Sequence, residues 1–375
     1  MIIGIPKELK PGENRVALTP VTVKDLVKKG YVLRVEKGAG MKSFLTDESY
    51  AEAGATLHTK DEIYKESDIV LKVNAPAPEE IRSMKKGSSI LSFMWAATNQ
   101  SFVSACCDAG ISAFSMDAIP RISRAQKMDA LSSQANLAGY KAVLMAADKI
   151  GKILPMMTTA AGTIRPAKVV IFGAGVAGLQ ALATAKRLGA VVEVTDIRPE
   201  TKEQVESLGG KFITVEGDDS IKIEGGYVKG VSEDFLRKQQ ETVARHVKDA
   251  DIVITTALIP GKKAPVLVSD EMVASMRFGS VIVDMAVEQG GNVVGSELNS
   301  TVQKHGTTII GESNIPSLLP MNASDLYAKN IVAFLLHLTD SSGFKWEMDE
   351  EITKGSLIVH NGVAVHPSVA STQPA

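Results

Sequence analysis

Between Lys168 and Asp196 the chain reads KVVIFGAGVAGLQALATAKRLGAVVEVTD: an apolar run, three glycines at GxGxxG spacing, a helical stretch, and a second apolar run ending in a carboxylate. Such glycines alone are common, but here the strand before and the helix after them give each a task. Gly173 makes the tight turn, Gly175 lets backbone approach a pyrophosphate, and Gly178 permits close helix–strand packing. The helix opens at Val176, where unpaired N–H groups and the positive end of the dipole favour phosphate. Asp196, about 20 residues on, is placed to bind the ribose hydroxyls of an adenosine. A carboxylate repels a 2′-phosphate, so NAD is expected over NADP, with Arg198 softening that preference. Val176, Ile197 and Arg198 are therefore grouped with the cofactor site. Thr255-Thr256-Ala257 ends a later strand and, with Leu258, should face the same ligand at the carboxyl edge of the sheet. Small residues there serve compact packing equally well.

Three other segments carry polar groups beyond what a fold needs. Residues 120–134, PRISRAQKMDALSSQ, offer Arg121, Arg124, Gln126, Asp129, Ser132 and Ser133 between a strand and a helix. They form either a solvated loop with Asp129 or Ser132 as helix N-cap, or a loop reaching across to the nicotinamide. In the second case Gln126 hydrogen-bonds the carboxamide or ribose while Arg and Asp orient one another. Residues 216–230, EGDDSIKIEGGYVKG, are long for a βα connection, which marks either a lid or a surface insertion. Tyr227 is the ring that could fold over a nucleotide. Lys72, inside the apolar run DIVLKV, is a buried-pattern cation that needs a partner; with Arg15 it either lines an anion-binding cleft or snorkels at a sheet end. No metal site is assigned.

Positioning these groups requires two βα-rich regions. Short buried strands are expected at 1–6, 31–36, 68–73, 88–95 and 111–115, with helices such as 22–29 and 100–109 closed by Gly30 and Gly110. A helix over 131–150 leads to a second set of strands at 169–173, 191–196, 251–257, 280–286 and 307–311. Alternation of this kind implies mainly parallel sheets covered on both faces. The expected class is α/β, two domains about a cleft, the second a Rossmann domain. The first takes residues 1–135 plus 322–375, the tail returning through a hairpin at Asn361-Gly362; the second takes 136–321.

The 375 residues suit two domains. A formal net charge of −2 argues against a nucleic-acid surface. Cys106 and Cys107 are adjacent, poor geometry for a structural disulfide. The N-terminus lacks the charged lead and apolar run of a signal peptide. Residues 169–185 carry no charge, but their glycines and their switch from strand to helix periodicity fit a buried βα unit better than a membrane span. A soluble chain without direct membrane insertion is expected.

Over nearly its whole length the sequence resembles the NAD(H)-binding component of proton-translocating transhydrogenase. PKELKPGENRVALTP, RISRAQKMDALSSQANLAGYKAV, GAGVAGLQALATAKRLGAVVEVTD, TKEQVESLGGKF and ITTALIPGKKAPVLV carry the likeness. Alanine dehydrogenases share the opening segment and fold, but place a catalytic His in the strand corresponding to ILSFMWAA. Here Phe93, Met94 and Trp95 stand there, and no histidine occurs between His58 and His246. Amino-acid oxidation needs a proton acceptor; direct transfer of hydride between nicotinamides does not. The resemblance implies that Arg121, Gln126, Asp129 and Ser132 position the dihydronicotinamide, that Asp196 holds the adenosine ribose, and that Tyr227 lies on a loop closing over NAD(H). Arg15 and Lys72 match carboxylate-binding residues of the dehydrogenases. It further implies NADP(H) on a partner subunit, a separate membrane-spanning proton channel, a homodimer, and a peripheral place on the cytoplasmic face of the inner membrane. The alternatives are an alanine dehydrogenase-like enzyme and a non-catalytic NAD-binding regulator.

Overall fold

The apolar runs of the first 115 residues become parallel strands because β-branched and leucine side chains alternate between two covered faces. The computed structural model describes residues 1–214, 222–224, 227–229, 233–259, 263–340 and 343–370. The chain divides into two compact units, Met1–Gln134 with Pro316–Ala375, and Ala135–Ile315.

The first unit holds an eight-stranded sheet. From one edge its order is Val363–Ala364, Leu357–His360, Ser112–Ser115, Ser89–Phe93, Ile69–Asn74, Ile2–Ile5, Val32–Glu36 and Thr56–His58. The central pairings are parallel, whereas Leu357–His360 joins Ser112–Ser115 antiparallel. That last strand turns back through Asn361 and Gly362, both at positive φ, as a type I′ hairpin requires. One sheet face, with Ile3, Ile5, Leu71 and Leu91, packs on the helices Pro20–Lys28 and Pro320–Leu338. The other, with Val70, Ile90 and Ala113, packs on Gln100–Ala109. That helix carries Cys106, buried, and Cys107, half-buried, both free thiols.

The second unit holds seven strands in the order Lys211–Phe212, Val191–Thr195, Lys168–Phe172, Ile252–Thr255, Val281–Asp284, Thr307–Gly311 and Ser300–Lys304. Among these described strands Ser300–Lys304 alone runs antiparallel. Ala138, Ala142 and Ala146 of the helix Ala130–Lys149 and Ala181, Leu182 and Ala185 of Val176–Arg187 cover one face. Val243 and Val247 of Glu233–Lys248, and Met272 and Val273 of Asp270–Ser275, cover the other. A hairpin, Met157–Thr159 with Gly162–Ile164, stands exposed on both strands.

Candidate functional site

Strand order in the Ala135–Ile315 unit reverses between Lys168–Phe172 and Ile252–Thr255. Turns after these two strands therefore diverge and leave a crevice at the carboxyl edge of the sheet. The glycines sit in the first turn. Gly173 has φ of +99°, which excludes most side chains. Gly175 is the extended N-cap of Val176–Arg187, and a Cβ built there meets nothing within 4 Å. At Gly178 a Cβ would lie 1.8 Å from the Gly173 carbonyl oxygen, so helix and turn are in direct backbone contact. The geometry fits a dinucleotide: open space over Gly175, N–H groups of a twelve-residue helix facing it, and Val176 exposed beside it.

Asp196 follows the second strand and is saturated. Its Oδ2 accepts from the Ala174 N–H at 2.6 Å and from Arg198 Nη2 at 2.8 Å; its Oδ1 accepts from the Arg198 N–H and Nε at 2.8 and 2.9 Å. Burial raises the carboxyl's pKa, but the Arg198 guanidinium and the two backbone donors outweigh it, and the net value is lowered. A carboxylate has about four acceptor sites. All four bonds are made within the chain, so a further donor can reach the carboxylate only where the guanidinium of half-buried Arg198 is displaced; Ile197 beside it is also half-buried. Across the switch point, Thr256 donates its hydroxyl to the Phe172 carbonyl at 2.9 Å and so backs the Gly173 turn. Ala257 has both its N–H and C=O bonded to the Asn292 side chain, at 3.1 and 3.0 Å, and Leu258 is exposed. Asn292 has no periodic or motif signal that would single it out in the sequence.

The 121–129 segment belongs to the first unit. It forms a 3-10 turn, Ser123–Met128, pinned by buried Ala125 and Met128. Asn330 of the long C-terminal helix donates to the Lys127 carbonyl at 2.9 Å and accepts from the Ser133 hydroxyl at 2.6 Å. Arg124 pairs with Glu350 and Glu351 at 3.0 and 3.1 Å. Asp129 caps the following helix, its two oxygens accepting from the Ser132 N–H at 2.9 Å and hydroxyl at 2.6 Å. Arg121 and Gln126 are exposed, and the Gln126 amide has no hydrogen bond among the described residues. Two residues past the strand Ser89–Phe93, Trp95 stands half exposed at φ of +50°, its N–H and that of Met94 bonded to Asp117.

Arg15 and Lys72 are both buried and already engaged. Arg15 makes a two-pronged pair with Glu13, at 2.8 Å from Nε and 2.7 Å from Nη2, and donates to Gln134 at 2.9 Å. Lys72 donates to the Lys7 carbonyl at 3.2 Å and lies 3.7 Å from Glu8 and 3.9 Å from Glu80. Burial raises the Glu8 carboxyl despite Lys72. For Glu13 burial also raises, but Arg15 prevails and the carboxyl falls to about 2. A depressed acid contributes stability that is full above its unfolded pKa and lost as pH falls through the folded value. Glu13 should therefore stabilise the chain by about 3 kcal/mol at neutral pH and cease to do so between about pH 4.5 and 2. Urea unfolding from pH 7 to 2 checks this: the stability difference between the native chain and Glu13→Gln should vanish across that window. A difference that stays constant to the acid end of the window would show that the pair does not set the carboxyl.

Tyr227 lies in the strand Tyr227–Lys229, paired antiparallel with Lys222–Glu224. Its side chain, and residues 216–221, 225–226 and 230 of the segment, are outside the described residues.

A doubly wound sheet with a glycine turn at its switch point and an acid ending the second strand defines the dinucleotide-binding α/β class. Family models cover most of the chain: residues 4–138 match the alanine dehydrogenase/PNT N-terminal domain and 142–367 the C-terminal domain, and the chain belongs to that family. It is 44% identical, over 100% of its length and 74% of the relative's, to NAD(P) transhydrogenase subunit alpha of Haemophilus influenzae. With the first portion of the divided NAD(P) transhydrogenase subunit alpha of Rhodospirillum rubrum it shares 48% identity, over 98% of this chain and 99% of the relative. A crystal structure of transhydrogenase from Sinorhizobium meliloti superposes with a TM-score of 0.86 at 44% identity, covering 98% of this chain and 100% of that one. Alanine dehydrogenase of Bacillus subtilis is more distant, 31% identical over 99% of this chain and 94% of the relative. The chain thus groups with the transhydrogenase alpha subunits, an oxidoreductase component of a multi-subunit assembly. No helix among the described residues is long and apolar enough to cross a membrane.

Proposed function

We propose that the Ala135–Ile315 unit binds NAD(H) on its glycine crest and that the chain passes hydride from the dihydronicotinamide to NADP+ held on a partner subunit. The observation that carries this reading is the crest itself, open over Gly175, closed under Gly178 and bounded by Asp196. The nucleotide supplies the hydride chemistry; the residues of the chain bind and aim it. Backbone at Gly175 and the first turn at Val176 take the pyrophosphate. Asp196 takes the adenosine ribose once Arg198 yields. Tyr227 closes over the nucleotide. Gln126 holds the carboxamide end, with Arg121, Asp129 and Ser132 fixing the loop around it. Orientation of this kind is worth up to ~7–11 kcal/mol where the geometry is ideal.

In this reading the chain acts as a homodimer, peripheral on the cytoplasmic face of the inner membrane. Proton movement is carried by a separate membrane-spanning subunit. The transhydrogenase relatives, named as subunits, support an assembly of several chains. Phe93, Met94 and Trp95 where the dehydrogenases keep an imidazole favour hydride exchange over amino-acid oxidation.

The test mixes the purified chain with a soluble NADP(H)-binding transhydrogenase domain and follows reduction of an NAD analogue by NADH. Reduction dependent on the partner is expected. Reduction of NAD by L-alanine with this chain alone would replace the reading with a dehydrogenase. Tight NADH binding without any transfer to the loaded partner would leave a regulator instead.

A further inference from the structure

The segment after the strand Val281–Asp284 reads MAVEQGGNVVG and enters none of the roles above, yet it surrounds a fully buried carboxylate. Asp284 accepts from the Thr255 hydroxyl at 3.0 Å, from the Ala286 N–H at 3.0 Å, and from the Asn292 and Val293 N–H groups at 3.0 and 3.3 Å. Gly290 and Gly291, at φ of +97° and +80°, curl the chain back over it, and a Cβ on Gly291 would sit 2.7 Å from Asp284 Oδ2. The carboxylate is thus the centre on which the turn is wound, and the turn delivers Asn292.

Asn292 is fully buried and uses its whole amide. Oδ1 accepts from the Ala257 N–H at 3.1 Å, while Nδ2 donates to the Ala257 carbonyl at 3.0 Å and the Pro265 carbonyl at 2.7 Å. An amide that exchanges two hydrogen bonds with the backbone of one residue replaces the neighbouring strand that Ala257, past the end of Ile252–Thr255, no longer has. Only a planar group with one acceptor and two donors can do this, so a carboxylate of the same size lacks the donors. The backbone of Asn292 adds further holds, its carbonyl accepting from Leu267 and Val268.

Resting on the nucleotide reading above, we propose that Asn292 is a positioning residue for that site. It engages both the N–H and the C=O of Ala257 and fixes the height of that residue beside the crest. The contribution of this turn to binding is therefore the exposed Leu258 side chain, laid apolar against the nucleotide, and not a hydrogen bond from Ala257 backbone.

Titration of NADH fluorescence against the chain, read as dissociation constant and as binding stoichiometry, tests it. Asn292→Asp keeps the size and removes the donors. A weakening of about tenfold with stoichiometry unchanged is expected, because every folded molecule carries a displaced turn. A merely structural role lowers the stoichiometry and leaves the dissociation constant alone, and that result overturns the proposal. Ser280→Ala, a buried hydroxyl at the far end of the same strand bonded to the Ala250 carbonyl, should lower stability without changing affinity; equal weakening there also overturns it. Should Asn292→Asp not fold, Leu258→Ala decides. That side chain is exposed, its truncation leaves folding intact, and affinity should fall several-fold. Unchanged affinity overturns the proposal. Failure of the native chain to bind NADH at all sinks the nucleotide reading instead.

Discussion

Gly178→Ala is expected to destabilise the Ala135–Ile315 unit by about 3 kcal/mol or more and to abolish nucleotide binding. Its Cβ would lie 1.8 Å from the Gly173 oxygen and 2.9 Å from the Gly173 carbonyl carbon, both backbone atoms. Gly173 cannot retreat, because its own φ of +99° and the Thr256 hydroxyl behind it fix the turn. The helix Val176–Arg187 must move instead, pulling Ala181, Leu182 and Ala185 out of the core. Overpacking typically costs ~1–3 kcal/mol when side chains can adjust, and backbone against backbone leaves less to adjust. Gly139 closes the other side of the same helix, since a Cβ there would lie 2.1 Å from the Ala177 oxygen. Gly175→Ala is the matched comparison. Space over it is open and φ is −78°, so stability should change by no more than about 1 kcal/mol, while NADH affinity should fall if, as proposed, the methyl stands in the place of the pyrophosphate. Urea unfolding and NADH titration of the two variants separate the effects. Equal stability of Gly178→Ala and the native chain would mean that the crest is not packed as described.

Both sheets and the crest are legible in the sequence because they follow from period and punctuation. Continuous apolar runs such as VVIFG and SVIVD, short and rich in β-branched residues, read as strands covered on two faces, and glycines close the helices at Gly30 and Gly110. The strands that escape are those with no such run. Thr56–His58 is a short edge strand, and Ser300–Lys304 is a polar antiparallel edge with alternating exposure. Met157–Thr159 and Gly162–Ile164 face solvent along their length, so no alternation marks them. Helix 130–149 is visible as a helix, but not the need for glycine at 139, which depends on Ala177 in another element. The site shows the same division. Lys72 is visible as a buried cation in want of a partner, whereas Glu8 and Glu80 meet it only through the sheet. Arg198 is visible as a neighbour of Asp196, but its closure over both oxygens is a matter of rotamer and not of spacing. Asn292 lies 35 residues from Ala257 and no local rule connects them.

Gln126→Leu is expected to slow hydride transfer about 100-fold while changing NADH affinity no more than about threefold. The loop that carries this residue is fastened along its length, and its amide is left exposed. Ala125 and Met128 are buried, the Lys127 carbonyl is taken by Asn330, Arg124 is held by Glu350 and Glu351, and both Asp129 oxygens are filled by Ser132. A rigid turn presenting one exposed amide suits a group that sets the angle of a ring and adds little to the hold on the rest of the nucleotide. In the proposed function binding energy sits mainly on the crest, at Gly175 and Asp196, so it should survive the loss of the amide, whereas alignment for transfer should not. Asp129→Ala should act differently, lowering stability by about 1 kcal/mol through the lost N-cap as well as slowing transfer. Single-turnover transfer to a loaded NADP(H)-binding partner, measured beside equilibrium NADH binding, distinguishes the two. If Gln126→Leu lost affinity in step with rate, so that transfer per bound NADH stayed constant, the amide would be a binding group and the aiming of the ring would belong to Arg121 or to the partner.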